Sequence, residues 1–273
     1  MLTQTLKTQQ KKIDDNSVII YLLRCNGYET TIGGLNMAEW VKKAIKELSY
    51  IEIDYDGSDL VDFLKPKLVN AKYSIILFSN TPLITTPAVL KVIEYVVTKQ
   101  IKACKFNGGF AFNTEYLKTA KQIMFDSFLP LEGEDFLVVD NVGKLKLASK
   151  IINERIIQKH IINGVEFIGT SEIDDQVEIE PNVVIFSGNI IKGESYIGKN
   201  TILKEKNVID NSIIGSDVCI ASSNIINSKI EDNVFILPYC YVNKSTIRKN
   251  CYISSNISVE NRTVRAGSKL KEN

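Results

Sequence analysis

The sequence predicts an α/β unit followed by a parallel β-helix of hexapeptide repeats. Three observations carry that expectation. Aliphatic residues recur at every sixth position from Ile173, strand-like segments alternate with amphipathic helical ones before residue 145, and a long helical stretch ends at Gly164, where the hexapeptide register begins. The expected divisions are a polar tail over 1–15, an α/β domain over 16–144, a linking helix over 145–163 and a β-helix over 164–273.

In the first half, residues 17–23 read as a buried strand. Asn36 with Glu39 three positions on resembles a capping box, and Met37, Trp40, Val41, Ala44, Ile45 and Leu48 then follow helical spacing, with Trp40 in the core. Residues 73–78 (YSIILF) make a second strand. Thr86–Pro87 opens a second helix, and GFAF at 109–112 is a third strand before a helix capped near Thr114. Such alternation predicts a mostly parallel sheet. Ligands of parallel sheets lie at the carboxyl ends of the strands. That places Arg24, Asn26 and Gly27, the segment Ser79–Asn80–Thr81, and the turn at Asn107, Gly108 and Gly109 near any pocket. Asn80 also reads as a loop residue whose side chain bonds its own turn.

The second half is a repeat. The series runs Ile173, Ile179, Ile185, Ile191, Ile197, Leu203 and Ile209, then Ile214, Ile220, Ile226, Ile230, Ile236, Val242, Ile247 and Ile253. A period of six fits neither an α-helix nor simple strand alternation. It fits a coil of three flat faces, about five coils over 168–265. Val177, Val183, Thr201 and Val218 are expected to turn inward as well, while Pro181–Asn182, Gly193, Gly198–Lys199–Asn200 and Asp232–Asn233 mark corners. One coil cannot bury its aliphatic corner, but stacked coils share a continuous ladder.

Composition excludes several classes. At 44% hydrophobic and 24% charged, the chain is an ordinary globular sequence. Lys plus Arg total 33 against 32 for Asp plus Glu, which removes the electrostatic argument for nucleic acid or an anionic membrane surface. No apolar run approaches the roughly 18 residues of a membrane span, and the polar start MLTQTLKTQQKK lacks an apolar signal core, so a cytoplasmic protein is expected. The five cysteines show no C-x-x-C spacing and read as small buried hydrophobes in a reducing compartment. His160 is the sole histidine and reads as structural; catalytic triads and histidine metal clusters are thereby excluded by count. Glu132, Glu134 and Asp135 read as a solvated acidic loop.

The segments 33–48, 79–85, 107–113, 160–168 and 179–198, with SNTPLIT, NGGFAFN and HIINGVEFI foremost among them, resemble parts of the bifunctional bacterial N-acetylglucosamine-1-phosphate uridyltransferase and glucosamine-1-phosphate acetyltransferase family. HIINGVEFI at 160–168 is similar to that family's helix end and first coil, and IEPNVVIFSGNIIKGESYIG at 179–198 to its later coils. SNTPLIT at 79–85 resembles its G-D-x-P-L-I motif, NGGFAFN at 107–113 its N-T-G-x-x-x-F segment, and GGLNMAEWVKKAIKEL at 33–48 the stretch after its signature loop. The resemblance implies a reduced nucleotidyltransferase-like, Rossmann-like domain joined to a left-handed parallel β-helix, and a homotrimer formed through that β-helix. Phe186, Tyr196, Phe235, Tyr239 and Tyr241 are candidates for outward anchors.

Departures from the family pattern bear on activity. The family's phosphate loop is L-A-A-G-x-G-T-R-M; here YLLRCNGYETT stands at 21–31, with one glycine, Arg24 as the nearby cation and Glu29 of the wrong sign. The family's metal-binding Asp falls on Asn80 and its second metal ligand on Asn141, so magnesium is the cofactor if transfer occurs, and no cofactor is otherwise certain. The acetyltransferase segment L-R-P-G is replaced by YVNK at 241–244, and its histidine base is lacking; acetyl transfer is not expected. The sequence therefore points to a non-catalytic or strongly impaired relative of sugar-1-phosphate uridyltransferases, a sugar-nucleotide-binding or assembly protein in cell-envelope amino-sugar metabolism. The alternative is an active enzyme making a UDP-sugar, such as UDP-N-acetylglucosamine, from UTP and a sugar-1-phosphate with magnesium.

Overall fold

A computed structural model describes residues 17–25, 29–131 and 133–271. They divide into two compact units: residues up to Thr31 with Asn36–Ala148, and Ile32–Leu35 with the chain from Ser149 onward.

The elements begin with β1 (Val18–Arg24) of the first unit, the short pair β2 (Thr31–Ile32) and β3 (Leu35–Asn36), whose Ile32 and Leu35 belong to the second, and the first unit's helix α1 (Met37–Ile45). Then come β4 (Tyr50–Asp54), α2 (Leu60–Leu64), β5 (Tyr73–Phe78) and α3 (Thr86–Lys99). Next are β6 (Ala103–Phe106), β7 (Gly109–Asn113), α4 (Thr114–Thr119) and β8 (Ser127–Leu129). The Asn36 side chain accepts from Glu39 N at 2.9 Å and caps α1, as the sequence predicts. Trp40 on this helix is half-buried with the Lys43 ammonium 4.9 Å over its ring, so it sits at the rim of the core rather than within it.

Six strands form one sheet in the order β4-β1-β5-β7-β6-β8. Alternate residues of β1 and β5 feed opposite faces. Ile20, Leu22, Ile75 and Leu77 pack with α1 and α3, whereas Tyr21, Leu23 and Ile76 pack with Leu64 and Leu117 of α2 and α4. The sheet is mostly parallel, as expected, with β7 alone reversed. β7 runs antiparallel to both β5 and β6, because Asn107 and Gly108 alone connect β6 to β7. A two-residue link makes a hairpin and cannot carry the chain back for parallel pairing. Gly108 takes φ 75°, the left-handed conformation that such a turn favours in glycine.

The long helix α5 (Val142–Ile162) starts three residues earlier than the sequence suggested, because Asn141 caps it by accepting from Lys144 N at 3.0 Å. In the second unit, Asn153 on this helix donates to Ser171 O at 2.8 Å and accepts from Ile173 N at 3.1 Å, tying the helix to the opening coil.

The coils make a three-faced parallel β-helix over 166–270, with sheets of six, six and seven strands. Its three ladders read Ile173–Ile191–Ile209–Ile225–Val242–Val259, Ile179–Ile197–Ile214–Ile230–Ile247–Val264, and Ile185–Leu203–Ile220–Ile236–Ile253–Leu270. Each buried aliphatic rung contributes roughly 1.5–3 kcal/mol. Val177, Val183, Thr201 and Val218 are also buried, as expected. There are about six circuits rather than five. The difference arises because later circuits are shorter than the first: Ile185 to Leu203 advances 18 residues, Ile220 to Ile236 only 16, and Ile236 to Ile253 again 17.

Shortening happens at corners, where a left-handed residue turns the chain. Asn182, Asn200 and Asn233 take φ of 64°, 59° and 56° at the corners the sequence marked, and Gly193 takes 61°. One rung is displaced by this shortening. Ile225, fully buried, holds the position that strict spacing assigns to Ile226, which is half-buried and faces outward. Beneath the corners run polar ladders. Ser195, Ser212, Ser228 and Ser245 each accept from the backbone N of the next coil at 3.0–3.2 Å. Asn189, Asn207 and Ser223 do the same at another corner, at 2.9–3.1 Å.

Candidate functional site

The carboxyl ends of β1, β4 and β5 converge. Ser79 N donates to Leu23 O and Cys25 N donates back to Ser79 Oγ, both at 2.9 Å, while Tyr55 N donates to Arg24 O at 3.0 Å. After β5 the chain turns tightly, and the Thr81 hydroxyl closes the turn by donating to Phe78 O at 2.7 Å. Val139 N donates to Asn80 O at 2.8 Å, which brings the 136–140 segment alongside. A Cβ on Gly108 would lie 2.6 Å from the Thr81 methyl and 3.5 Å from Val138, and one on Gly109 would lie 2.4 Å from Ile76 O. Arg24, Asn80, Asn107 and Gly108 are thus drawn to the strand ends predicted from the sequence. Gly109 is taken up by its own sheet. Asn26 and Gly27 lie outside the described residues, as does Glu132 of the acidic loop; Glu29 is exposed, and Asp135 accepts from the Thr85 hydroxyl at 3.1 Å.

Electrostatics here are set by β4. Arg24 pairs with Asp54 at 2.6 Å and its Nε lies 3.6 Å from Glu52. Lys42 of α1 contacts Glu39 at 2.7 Å and Glu52 at 3.2 Å, and the hydrogen bond to Glu39, then that to Glu52, hold its pKa above the ordinary lysine range against the desolvation that lowers it. Among the described residues, two cations therefore face three carboxylates at this edge. Burial pushes the Cys25 thiol up, so it stays protonated and is a poor nucleophile.

The Asn80 side chain does not bond its own turn. Its Oδ1 is buried without a hydrogen-bond partner, the one orphaned acceptor at the end of β5. Asn141 is exposed and engaged at both ends, capping α5 and donating to Asp140 at 2.7 Å, while Asp140 pairs with Lys144 at 2.8 Å. Among the described residues no group of three or more His, Cys, Asp or Glu side chains gathers as a metal site. One neutral amide oxygen is a poor set for magnesium, which favours carboxylates. The residues present do not fit that ion.

In the second unit, His160 is 3% exposed and neither ring nitrogen has a partner. Burial, then Lys159, lower its pKa against a smaller opposing effect of Asp175, which keeps the imidazole neutral. Cys104, Cys240 and Cys251 are buried, while Cys25 and Cys219 are half-buried; all five are free thiols.

An α/β sheet with a strand-end site, followed along the chain by a parallel β-helix, defines the class by fold. Within that class it is similar to the bifunctional protein GlmU over about half its length, as the motifs anticipate. It is 32% identical over 139 residues to GlmU of Alkaliphilus metalliredigens (strain QYMF), covering 50% of this chain and 30% of the relative. It is 32% identical over 163 residues to GlmU of Clostridioides difficile (strain 630), covering 56% and 36%. The match therefore spans about a third of the length of these relatives. No family model matches the chain. Two solved structures are similar. A 4-diphosphocytidyl-2C-methyl-D-erythritol synthase from Anaerococcus prevotii has a TM-score of 0.41 at 9% identity, over 51% of this chain and 99% of that one. PerB from Caulobacter crescentus, in complex with CoA and GDP-perosamine, has 0.32 at 14%, over 93% and 91%.

Proposed function

We propose that this chain is a non-catalytic or strongly impaired relative of sugar-1-phosphate uridyltransferases, serving as a sugar-nucleotide-binding or assembly protein in amino-sugar metabolism of the cell envelope. The carrying observation is the Arg24–Asp54 pair at 2.6 Å with Glu52 beside it. A triphosphate needs unspent positive charge at the strand ends, and phosphoryl chemistry rests on such electrostatic positioning. Arg24 is already matched by carboxylates, and Asn80 stands where a metal's carboxylate would be needed. A sugar requires less: backbone groups and amides at Asn26, Gly27, Asn107 and Gly108 suffice for binding. Free thiols throughout suit a reducing cytoplasm.

The test is pyrophosphate release from UTP and N-acetylglucosamine-1-phosphate with magnesium. Turnover is expected at least a hundredfold below the order of 1 per second usual for enzymes, and Asn80→Asp alone is not expected to restore it. Turnover near 1 per second would favour the alternative reading as an active, magnesium-dependent UDP-sugar-forming nucleotidyltransferase, with the orphaned Asn80 Oδ1 as part of its site.

The same reading includes a homotrimer formed through the β-helix. On its third face Ile202, Phe235 and Tyr252 are 38%, 51% and 37% exposed and stack in register with half-buried Val184 and Cys219. Such a continuous apolar stripe is characteristic of an interface. Tyr239 is exposed as expected of an anchor, whereas Phe186, Tyr196 and Tyr241 are half-buried. Light scattering is expected to give three times the chain mass at micromolar concentration, and a monomer mass would refute this part of the reading.

A further inference from the structure

The corner between the first and second faces of the β-helix shortens along the chain. Three residues, Gly193 to Ser195, join the strands Ile190–Lys192 and Tyr196–Ile197. In the next three coils two suffice: Asn211–Ser212, Asn227–Ser228 and Lys244–Ser245. The first residue of each pair is left-handed, with φ of 45°, 46° and 46°, and the serine turns inward to the ladder described above. Where the middle residue is lost, the surface is recessed. An open surface recess of about 440 Å³ lies there, lined by Asn211, Ile213, Asn227, Lys229, Lys244 and Thr246 together with the ladder serines Ser228 and Ser245.

Its lining is cationic and amide-rich, with no carboxylate. Lys229 stands on the second face between Ile213 and Thr246, its partners in register. Lys244 occupies the left-handed corner position that the two preceding coils give to asparagine, a conformation that lysine adopts less readily. Neither lysine makes an ion pair among the described residues. Nearby acids are engaged elsewhere. Asp210 accepts from the Asn211 side chain at 2.8 Å, Glu231 from Lys249 N at 3.0 Å and Asp232 from Ser216 N at 2.7 Å. The last two line an adjoining recess of about 330 Å³ around Lys249, which shares Ile213 and Lys229 with the first.

We propose that the recess at Lys229 and Lys244 is a binding site for a phosphate-type oxyanion, free or carried by a small molecule. The two ammonium groups neutralise its charge, the Asn227 amide and Thr246 hydroxyl supply hydrogen bonds, and Ile213, 49% exposed, gives an apolar flank for whatever the phosphate is attached to. This site is independent of the strand-end reading of the first unit.

The experiment titrates the full chain with inorganic phosphate, and separately with UDP, following phosphorus resonance broadening at constant ionic strength set with chloride. Binding is expected with a dissociation constant on the order of 1 mM or tighter for at least one titrant. In the Lys229→Gln/Lys244→Gln double variant it is expected to weaken at least tenfold. Lys249→Gln in the neighbouring recess is expected to leave it unchanged. Tighter binding of UDP than of phosphate, lost in the double variant, identifies a carried phosphate; equal binding identifies the free ion. Absence of broadening in the natural chain overturns the proposal. So does binding that survives the double variant but is lost on Arg24→Gln, which would locate the phosphate in the first unit.

Discussion

Replacing Asn207 with leucine is expected to destabilise the β-helix by about 2–4 kcal/mol. Asn207 is fully buried at an inner corner, and its Oδ1 accepts from Ser223 N at 2.9 Å. Its Nδ2 donates to Lys204 O at 2.7 Å, Asn189 Oδ1 at 2.9 Å and Ile220 O at 3.3 Å. Leucine matches the volume and removes every one of these bonds. Lys204 O keeps a donor in Asn189 Nδ2, Ile220 O keeps Lys204 N, and Asn189 Oδ1 keeps Asn207 N. Ser223 N keeps nothing, so a buried donor is orphaned. Asn207→Ser is expected to cost far less, about 1 kcal/mol, because serine already serves the following rung at Ser223 and accepts there from Cys240 N at 3.0 Å. Hydrogen exchange over coils 202–240, compared between the two variants, checks both values. Equal protection in Asn207→Leu and the natural chain would refute the argument.

Ile225→Ala is expected to lose about 2–5 kcal/mol, the range for emptying an isoleucine site in a core that cannot close up. Ile226→Ala, one position on, is expected to lose less than about 1 kcal/mol, because Ile226 faces out and is already half in solvent. Urea melts of the two single variants decide it. A larger loss at Ile226 would place the ladder in the other register.

That pair also shows where the sequence stops being legible. Six-residue steps are visible because every coil repeats the same side-chain environment, and the first six-residue run from Ile173 to Ile209 stands in the structure as written. Once a corner drops a residue, two adjacent isoleucines compete for one inward position. The corner conformation, not the side chain, decides between them, and Ile225 wins because the chain has just turned through Ser222 at φ 39°. The hairpin at Asn107–Gly108 was equally open to reading, since a two-residue Asn-Gly link between apolar segments favours antiparallel pairing.

The candidate site was half legible. Strand ends at Arg24 and Asn80 follow from buried apolar runs. Their electrostatics do not, because β4 is an edge strand whose residues are exposed or half-buried and lacks a strong apolar signal. Only its register, Leu22 with Glu52 and Arg24 with Asp54, reveals that two carboxylates stand beside the arginine. A charge-balanced composition cannot disclose such a pairing.

The stacked circuits carry a mechanical consequence. Each coil touches only its neighbours, so a pulling force on the carboxyl end is met by one coil's ladder bonds at a time. Release of a 17-residue circuit such as Ile236 to Ile253 frees roughly 55–60 Å of contour at about 3.3–3.6 Å per residue. The molecule would lengthen in near-equal increments, each as long as its own coil, and rewind in reverse order when the load is removed. A stacked coil of this kind is a ratcheted tether rather than a single brittle fold.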